Sequence, residues 1–341
     1  MLHFDTDYMR GACPEIIKRI CETNLEQTVG YGLDEYTQRA KAAIRQTIGK
    51  DDAEIHFLVG GTQTNATVID GVLGKFEGVL CAETAHINVH EAGAIEATGH
   101  KVLTLPTTEG KIKAEDVEKY VRDFNRDEAR DHIVAPGMVY ISFPTETGSL
   151  YTLKELEALH RVCNDNSLPL YIDGARLGYG LMAKGNDVSI KDISRLCDVF
   201  YIGGTKVGAL FGEAVVVCNN KLLKHFFPLI KQHGALLAKG RLLGLQFETL
   251  FTDDLYFKLS NNAIERAMEL REAFVAKGYE PYGFSPSNQQ FFLMPKEKIN
   301  ALKDKVSFEI WAWEDDNRAV VRFVTDWATS KQEVEQLIDC L

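Results

Sequence analysis

A single lysine, Lys206, follows the apolar segment DVFYI and two glycines, and a second apolar segment, EAVVV, comes shortly after it. Lysine is rarely buried without a partner, so this position has two interpretations. One is an exposed turn with a solvated ammonium group. The other is a reactive amine at the end of a buried strand, because short continuous apolar runs are typical of strands covered on both faces.

Two further polar segments follow predicted strands. Gly60, Gly61 and Thr62 come after EIHFLV and lead into a helical pattern, where glycine amides, hydroxyl groups and the helix dipole favour an anion. A plain threonine helix cap is the alternative. Asp173 follows LPLYI, and a carboxylate buried there needs a partner, for which a salt bridge to Arg176 is the simplest arrangement.

The elements that must position these residues alternate along the chain. Strand-length apolar runs and longer helical patterns follow one another from EIHFLV to EAVVVC, which predicts a mostly parallel sheet with helices on both faces. After that, the pattern favours helices over residues 236–251 and 261–278, two short strands, QQFFLM and AVVRFV, and a final helix. Another helix is predicted in NVHEAGAIEATG.

This pattern predicts an α/β fold with two domains. We expect a large domain over residues 1–250 and a smaller α+β C-terminal domain over residues 251–341. We also expect the N-terminal segment, residues 1–25, to pack with the small domain.

In open parallel sheets, ligands bind at the carboxyl ends of the strands. The segments around Gly60, Asp173 and Lys206 would therefore bring an anion site, a carboxylate and an amine to one edge of the sheet. Pyridoxal 5'-phosphate requires this set: a lysine that joins its aldehyde, a carboxylate that keeps its pyridine nitrogen protonated, and a site for its phosphate. The sequence therefore predicts a pyridoxal phosphate site in the large domain.

Composition narrows the class of partner. The 341 residues are 45% hydrophobic and 26% charged, as in ordinary globular proteins. Lys and Arg total 38 and Asp and Glu 49, for a net charge of -11, which disfavours nucleic acid and anionic membranes as partners. No apolar run reaches the length of a membrane span. A small molecule is therefore the expected partner.

Cysteine usage and the first residues bear on location. The seven cysteines are scattered and form no C-x-x-C pair, which favours reduced thiols over a disulfide framework or a zinc site. The opening MLHFDTDYMRGACPEI lacks the basic segment and apolar core of a secretory signal. These features predict a cytoplasmic protein.

Six segments in order resemble the threonine aldolase and aromatic amino acid β-eliminating lyase family, of the aspartate aminotransferase fold type. They are YGLDEYTQ, GGTQTN, TAHINVHEAGA, YIDGARLGYG, GGTKVGALFGEA and AVVRFVTDW. The resemblance implies a pyridoxal phosphate-dependent transferase of fold type I and retro-aldol cleavage of a β-hydroxy-α-amino acid, such as L-threonine or L-allo-threonine, to glycine and an aldehyde. β-Elimination and racemisation are the alternatives, because all three reactions start from the same amino acid–cofactor linkage.

The resemblance also implies roles for individual residues. Lys206 would hold the cofactor aldehyde, Asp173 would pair with its ring nitrogen, and His86 would stack on the ring and take part in proton transfer. The other expected cofactor-binding residues are Gly60, Gly61, Thr62, Arg176, Thr205 and Tyr31.

Substrate binding and assembly follow from the same resemblance. Arg176 and Arg322, with the Thr6 hydroxyl, would grip the substrate carboxylate, because a planar guanidinium meets a carboxylate bidentately. Tyr31 would reach the phosphate of a neighbouring subunit, which implies a homodimer or homotetramer with shared sites.

The chain departs from the family pattern in one place. Glu146, in SFPTETGSL, stands where threonine aldolases usually carry a second histidine near the substrate hydroxyl. A carboxylate could accept the hydroxyl proton as well. The resemblance also implies a basic residue that binds the cofactor phosphate. Lys231, Lys239 and Arg241 are the alternatives for this role.

Competing motifs are weaker. Residues 178–183, GYGLMA, have the spacing of a dinucleotide fingerprint, but DGARL separates them from the preceding strand, which argues against a nicotinamide-dependent dehydrogenase. His86 and His90 stand four residues apart without a metalloprotease motif or a third ligand, so no metal is predicted and His90 is interpreted as polar packing. Trp311, Trp313 and Trp327 could line a partner surface, but core or domain-interface packing is the favoured interpretation.

Overall fold

The computed structural model describes residues 1–341. In chain order the strands are β1 (Leu2–His3), β2 (Glu54–Leu58), β3 (Glu77–Ala82), β4 (Lys101–Leu105), β5 (Ala135–Ser142), β6 (Leu170–Asp173), β7 (Val199–Gly203), β8 (Glu213–Val217), β9 (Glu280–Pro281), β10 (Gln289–Pro295), β11 (Val306–Ser307), β12 (Glu309–Trp313) and β13 (Arg318–Val324).

The helices, in chain order, are α1 (Pro14–Thr23), α2 (Glu35–Ile48), α3 (Gly61–Val72), α4 (His86–Val89), α5 (Ala94–Ala97), α6 (Ala114–Arg126), α7 (Leu153–Asp165), α8 (Leu177–Met182), α9 (Ile190–Leu196), α10 (Phe226–Gln232), α11 (Arg241–Leu250), α12 (Leu255–Ala276), α13 (Lys296–Leu302) and α14 (Lys331–Cys340). None of them combines the length and the apolarity that a membrane-spanning helix requires.

The large sheet has seven strands in the order β2-β8-β7-β6-β5-β3-β4. Only β8 runs against the others, since it is antiparallel to both of its neighbours while the remaining pairs are parallel. Strands β7 and β8 are buried at every position. Because successive side chains point to opposite faces, complete burial means that both faces are covered. The predicted mostly parallel sheet is confirmed.

The small domain is a four-stranded antiparallel sheet in the order β12-β13-β10-β9, with the parallel pair β1-β11 beside it. Its core is a cluster of 13 buried residues, separate from the cluster of 65 that runs through the large sheet. Helix α12 contributes to both, with Ile264 in the large cluster and Phe274 in the small one. The boundary between residues 250 and 251 therefore stays a prediction.

The N-terminal segment is divided between the two cores. Phe4 lies in the small cluster, whereas Cys13 and Ile16 lie in the large one. The chain between Phe4 and Cys13 therefore crosses from the small domain to the large domain.

Two local predictions were wrong, and one strand was missed. The segment NVHEAGAIEATG forms only the single turns α4 and α5, because Ala92 and Gly93 adopt left-handed backbone conformations between them. Residues 236–240 are not helical, since the Ala238 carbonyl accepts a hydrogen bond from the Tyr31 amide in a neighbouring loop. Strand β12 was missed because none of its residues is fully buried, so its sequence lacks the alternation typical of a strand with one buried face.

Candidate active site

A cleft between the large sheet and the small domain opens at the carboxyl ends of β2, β3, β5, β6 and β7. One cavity of about 320 Å³ lies against the sheet, and a second of about 480 Å³ adjoins it on the small-domain side. Residues lining both cavities are Tyr8, His86, His90, Glu146, Arg176 and Lys206. The two cavities therefore form one site, at the place where open parallel sheets bind ligands.

Lys206 lies in the loop that follows β7. The loop approaches the turn after β6 so closely that a Cβ on Gly203 would lie 2.2 Å from the Ala175 carbonyl oxygen. The Tyr179 hydroxyl donates a hydrogen bond to the Lys206 carbonyl at 2.5 Å. Burial, together with the nearby Arg176 guanidinium, lowers the pKa of the Lys206 amine. A lowered pKa favours the neutral, nucleophilic form of the amine.

Asp173 ends β6 and is buried. Its carboxylate accepts hydrogen bonds from the Tyr140 hydroxyl (2.6 Å), the Tyr201 hydroxyl (2.6 Å) and the Asn65 amide (3.0 Å). Burial alone would raise the pKa of Asp173, but the nearby His86 side chain and these tyrosine hydroxyls lower it below its ordinary value. The site thus keeps an ionised carboxylate in a buried position.

The segment after β2 leaves the first turn of α3 open to an anion. Gly60 has an extended backbone and helix α3 has no side-chain cap, so the threonine-cap alternative is wrong. A Cβ on Gly60 would meet nothing within 4 Å, while one on Gly61 would lie 3.2 Å from the Tyr201 hydroxyl. The unpaired amides of a first helical turn favour an anion. Thr62 lines the same cavity.

Thr205 and Glu213 line this cavity beside Lys206. The Thr205 hydroxyl accepts a hydrogen bond from the Gly212 amide, and Glu213 accepts one from the Gly204 amide at 3.1 Å. Burial raises the pKa of Glu213 to about 8. Sequence reasoning missed Glu213, because it is the first residue of an otherwise apolar strand and no motif marks it as functional.

His86 and Glu146 meet where the two cavities join. Glu146 Oε1 accepts hydrogen bonds from the His86 backbone amide (2.9 Å) and the Ser142 hydroxyl (2.6 Å). The other carboxylate oxygen makes no hydrogen bond with the protein. Burial raises the pKa of Glu146, which makes the carboxylate a stronger base than an ordinary one.

Arg176 pairs with Asp7 and not with Asp173. Its Nε and Nη2 donate to the two Asp7 oxygens at 2.7 and 3.0 Å, and the Asn288 amide donates to the same carboxylate at 2.9 Å. Burial would raise the pKa of Asp7, but the Arg176 charge lowers it to about 2. The predicted salt bridge between Asp173 and Arg176 is therefore wrong, and one Arg176 nitrogen, Nη1, is left without a partner.

The small-domain wall carries several unpaired polar atoms. Arg322 donates to Gln289 at 2.8 Å and pairs with Glu309, but its Nε has no partner. The Thr6 hydroxyl and the Gln289 Nε2 are also buried without hydrogen-bond partners. These three residues line the second cavity. Because buried donors are normally satisfied, the arrangement fits an anionic ligand such as a carboxylate.

Tyr31 is not brought together with the other predicted residues of the same chain. It lines a separate pocket of about 80 Å³, and the Lys231 ammonium lies 4.4 Å from its ring centroid. Of the other two basic candidates, Arg241 is buried and donates to the Thr23 and Glu26 carbonyl groups. Lys239 is exposed.

His90 was misassigned by sequence reasoning, whereas Trp311 lies between the two domains, as the domain-interface interpretation expected. His90 is exposed in the cleft, with ring centroids 5.6 Å from His86 and 5.9 Å from Trp311. Trp311 lines the second cavity, 5.1 Å from the Arg322 guanidinium. Recognising β12 would have indicated this placement, because Glu309 pairs with Arg322 in the register of β12 and β13.

The other tryptophans and the glycine motif have structural positions. Trp327 packs against the large core, whereas Trp313 is half exposed. Residues 178–182 lie inside α8, so they form no nucleotide-binding turn. A Cβ on Gly178 would lie 2.2 Å from the Ser260 hydroxyl, which indicates that this glycine permits the contact between α8 and α12. No three His, Cys, Asp or Glu side chains converge as a metal site would require.

The residues at the sheet edge fit pyridoxal 5'-phosphate. An amine of lowered pKa, a buried ionised carboxylate and the open first turn of α3 face one cavity. Gly61 and Thr62, in the first turn of α3, line this cavity, and Gly61 has no side chain to keep a phosphate away from the backbone amides. These are the three groups that the cofactor requires.

Comparisons with known proteins agree with this geometry. The low specificity L-threonine aldolase of Pseudomonas aeruginosa is 29% identical over 337 residues, covering 98% of this chain and 95% of the relative. The Saccharomyces cerevisiae protein of the same description is 29% identical over 265 residues, covering 75% of this chain and 66% of that one.

Solved structures point the same way. The threonine aldolase of Leishmania major matches with a TM-score of 0.96 and 39% identity, over 99% of this chain and 98% of that chain. An aspartate aminotransferase of Thermus thermophilus matches with a TM-score of 0.74 and 15% identity, over 100% of this chain and 90% of that chain. The second match supports the predicted fold alone.

The family model described as Beta-eliminating lyase matches residues 3–285. That range holds the predicted lysine, aspartate and histidine, and it ends before the small-domain arginine Arg322. With most of the chain matched and the fold shared over nearly the whole length of a solved threonine aldolase, this chain belongs to the β-eliminating lyase family.

Proposed function

We propose that this protein is a pyridoxal 5'-phosphate-dependent aldehyde-lyase that cleaves L-threonine or L-allo-threonine to glycine and acetaldehyde. One observation carries the proposal. Lys206 and Asp173 lie on the sheet side of the cleft, and unpaired donors that could bind a carboxylate lie on the small-domain side. The family membership and the threonine aldolase relatives support the same activity.

Five residues would hold the cofactor. Lys206 would join its aldehyde, Asp173 would bind its ring nitrogen, and His86 would lie on its ring face. The first turn of α3 with Thr62, and Thr205 on the opposite loop, would bind the phosphate. When bound, pyridoxal phosphate accepts the electrons released at the substrate α-carbon.

The substrate carboxylate would bind between the two domains. Three donors would bind one carboxylate: the unpaired Arg322 Nε, the unpaired Thr6 hydroxyl and Arg176 Nη1. Burial makes each charge-assisted hydrogen bond there stronger than it would be in water. Fixing the carboxylate fixes the orientation of the Cα–Cβ bond, and orientation decides which bond breaks.

Glu146 and His86 would accept the proton of the substrate β-hydroxyl group. The free Glu146 oxygen, at a carboxyl whose pKa is raised by burial, can accept the proton from the substrate β-hydroxyl. His86 lies beside it, with its Nε2 free of any protein hydrogen bond. Acceptance of this proton allows the β-carbon to leave as an aldehyde.

We also propose a homodimer or homotetramer, located in the cytoplasm. Leu25, Val29 and Leu33 expose large apolar side chains next to Tyr31, and an exposed apolar patch of this kind is typical of an interface. A subunit packed there could bring Tyr31 to the phosphate site of its neighbour. All seven cysteines are unpaired, which fits a reducing compartment. Light scattering of the purified protein tests the assembly.

The activity is tested by supplying the purified protein with pyridoxal phosphate and L-threonine, L-allo-threonine or phenylserine. We expect equal amounts of glycine and aldehyde, and loss of both in Lys206→Ala. Release of pyruvate and ammonia would instead establish β-elimination. Borohydride treatment should fix the cofactor to the peptide that contains Lys206, and an unlabelled peptide would overturn the proposal.

A further inference from the structure

A second carboxylate, Glu91, is buried directly behind His86. Its side chain has no solvent exposure, and it lines the cavity against the sheet. Neither the sequence motifs nor the proposed chemistry gives it a role. A buried carboxylate is costly unless it is paired and hydrogen-bonded, so its retention beside the site requires an explanation.

The contacts of Glu91 join it to the two sides of the cofactor site. Its Oε1 lies 2.7 Å from His86 Nδ1 and accepts a hydrogen bond from Asn65 Nδ2, also at 2.7 Å. The same Asn65 nitrogen donates to Asp173 at 3.0 Å, and the Asn65 oxygen accepts from the Tyr171 hydroxyl at 2.8 Å. Asn65 is therefore held by three partners and fixes Glu91 relative to Asp173.

These contacts decide which nitrogen of His86 carries the proton. A carboxylate can only accept, so the short contact requires a hydrogen on Nδ1. In the neutral ring the lone pair then lies on Nε2, which has no protein partner and belongs to a ring that lines both cavities. The hydrogen bond made by one ring nitrogen sets the state of the other.

We propose that Glu91 is a positioning residue that holds His86 in the Nδ1–H tautomer, so that Nε2 faces the reacting groups as a proton acceptor. The inference rests on the proposed function and adds to it a residue that acts through His86. Asn65 takes part by holding Glu91 in place. Without the acceptor at position 91, the ring is free to rotate or to carry its proton on Nε2, where it cannot accept one.

The first test is the tautomer in the wild-type holoenzyme. Full-length protein labelled with ¹⁵N-histidine is measured by long-range ¹H–¹⁵N correlation, with the His86 signal assigned by its loss in His86→Asn. We expect the pattern of a proton on Nδ1. A neutral His86 with its proton on Nε2 overturns the proposal without recourse to any variant of Glu91.

Two substitutions separate the acceptor from the charge. Glu91→Met removes the acceptor at similar volume, and we expect the proton to move to Nε2. We expect kcat to fall about ten- to a hundredfold, the range known for loss of a carboxylate partner behind a metal-binding histidine. KM should change less than kcat, because no substrate contact is lost. Glu91→Gln keeps an acceptor oxygen, so it should retain the tautomer and most of the activity.

Asp70→Asn is the matched control, because Asp70 pairs with His233 at 2.7 Å and lines neither cavity. It should leave kcat and the His86 signal unchanged. An unchanged tautomer in Glu91→Met, or a Glu91→Gln enzyme as slow as Glu91→Met, would contradict the positioning role. If the wild type cleaves no β-hydroxy amino acid, the proposed function fails, while the tautomer measurement still decides the inference.

Discussion

At the scale of single residues, unpaired polar groups identify the ligand side of the cleft. The Thr6 hydroxyl is buried in the second cavity and has no hydrogen-bond partner. A buried donor without a partner costs free energy in the ligand-free protein. Residues of this kind are expected where the ligand completes the hydrogen bonding.

Thr6→Val should therefore have opposite effects on stability and on binding. The substitution preserves shape and removes a group that is unsatisfied in the free protein, so the melting temperature should stay equal or rise. The KM for L-threonine should rise about tenfold or more, because a hydrogen bond to a charged group contributes about 1.5–3 kcal/mol. Calorimetry and steady-state kinetics measure the two effects, and a fall in stability with unchanged KM would assign Thr6 a structural role.

Glu213 gives a residue-scale prediction about pH. Burial raises its pKa to about 8 from an ordinary value of 4.5, so the folded protein binds a proton that the unfolded chain releases. The contribution of this carboxyl to stability is then complete below about pH 4.5 and declines as the pH rises toward 8.

The neutral variant Glu213→Gln lacks this decline. Denaturant unfolding of the cofactor-free protein at pH 5 to 8.5 should show the wild type losing stability relative to the variant as the pH rises. The lowered pKa of Lys206 acts in the opposite direction in both proteins, and because Glu213 and Lys206 influence each other's pKa, the difference between the two curves reports the titration of the pair. Parallel curves for the two proteins would show that Glu213 is ionised when folded.

At the scale of elements, the sequence predicted those strands and helices whose apolar pattern follows directly from burial. Strands β6 and β7 were found because continuous apolar runs signal burial on both faces. Their carboxyl ends correctly placed Asp173 and Lys206 at one cavity. The partners of these residues could not be predicted, since the contact of Arg176 with Asp7 joins residues 169 positions apart.

The helix α3 shows what local sequence leaves undecided. Glycine followed by threonine at a helix start is compatible with both a side-chain cap and an open anion site. The structure has no cap hydrogen bond there. The distinction depends on the threonine rotamer and on the neighbouring Tyr201 hydroxyl, neither of which the sequence pattern specifies.

Gly60→Ala tests the anion site at α3. The added Cβ would meet no protein atom within 4 Å, and the backbone is extended, so the free energy of unfolding of the cofactor-free protein should fall by no more than about 1 kcal/mol, because alanine is a poorer N-cap than glycine. The methyl group would lie next to Gly61 and Thr62, which line the cavity proposed for the phosphate, and the Kd for pyridoxal phosphate in an absorbance titration should rise. Gly11→Ala is the matched control, because a Cβ there also meets nothing within 4 Å, but neither neighbour of Gly11 in the chain lines a cavity. Equal affinities would exclude this anion site.

At the scale of the whole molecule, the N-terminal segment joins the two domains at the cleft. Asp7 pairs with Arg176 beside the large sheet and accepts a hydrogen bond from Asn288, next to strand β10 of the small sheet. Arg176 and Arg322, the arginines proposed to bind the substrate carboxylate, line the same cavity from its two sides. The buried Asp7 carboxylate thus fixes the geometry of the site and also contributes to the stability of the two-domain arrangement.

Asp7→Asn should disturb the geometry of the site and lower the stability of the two-domain arrangement. Removing one partner of a buried pair leaves the Arg176 charge uncompensated, and the expected loss in the free energy of unfolding is about 3–5 kcal/mol. Because the pKa of Asp7 is about 2 when folded and 3.8 ordinarily, its contribution is complete above pH 3.8 and is lost as the pH falls toward 2. Wild type and variant should therefore converge in stability as the pH falls toward 2.

Glu333→Gln is the control. It breaks a more exposed ion pair with Arg10, three residues after Asp7, and should lower the free energy of unfolding by less than about 1 kcal/mol. Denaturant unfolding of the three proteins from pH 7 down to pH 2.5 measures this difference, and equal losses in both variants would show that Asp7 does not hold the domains together.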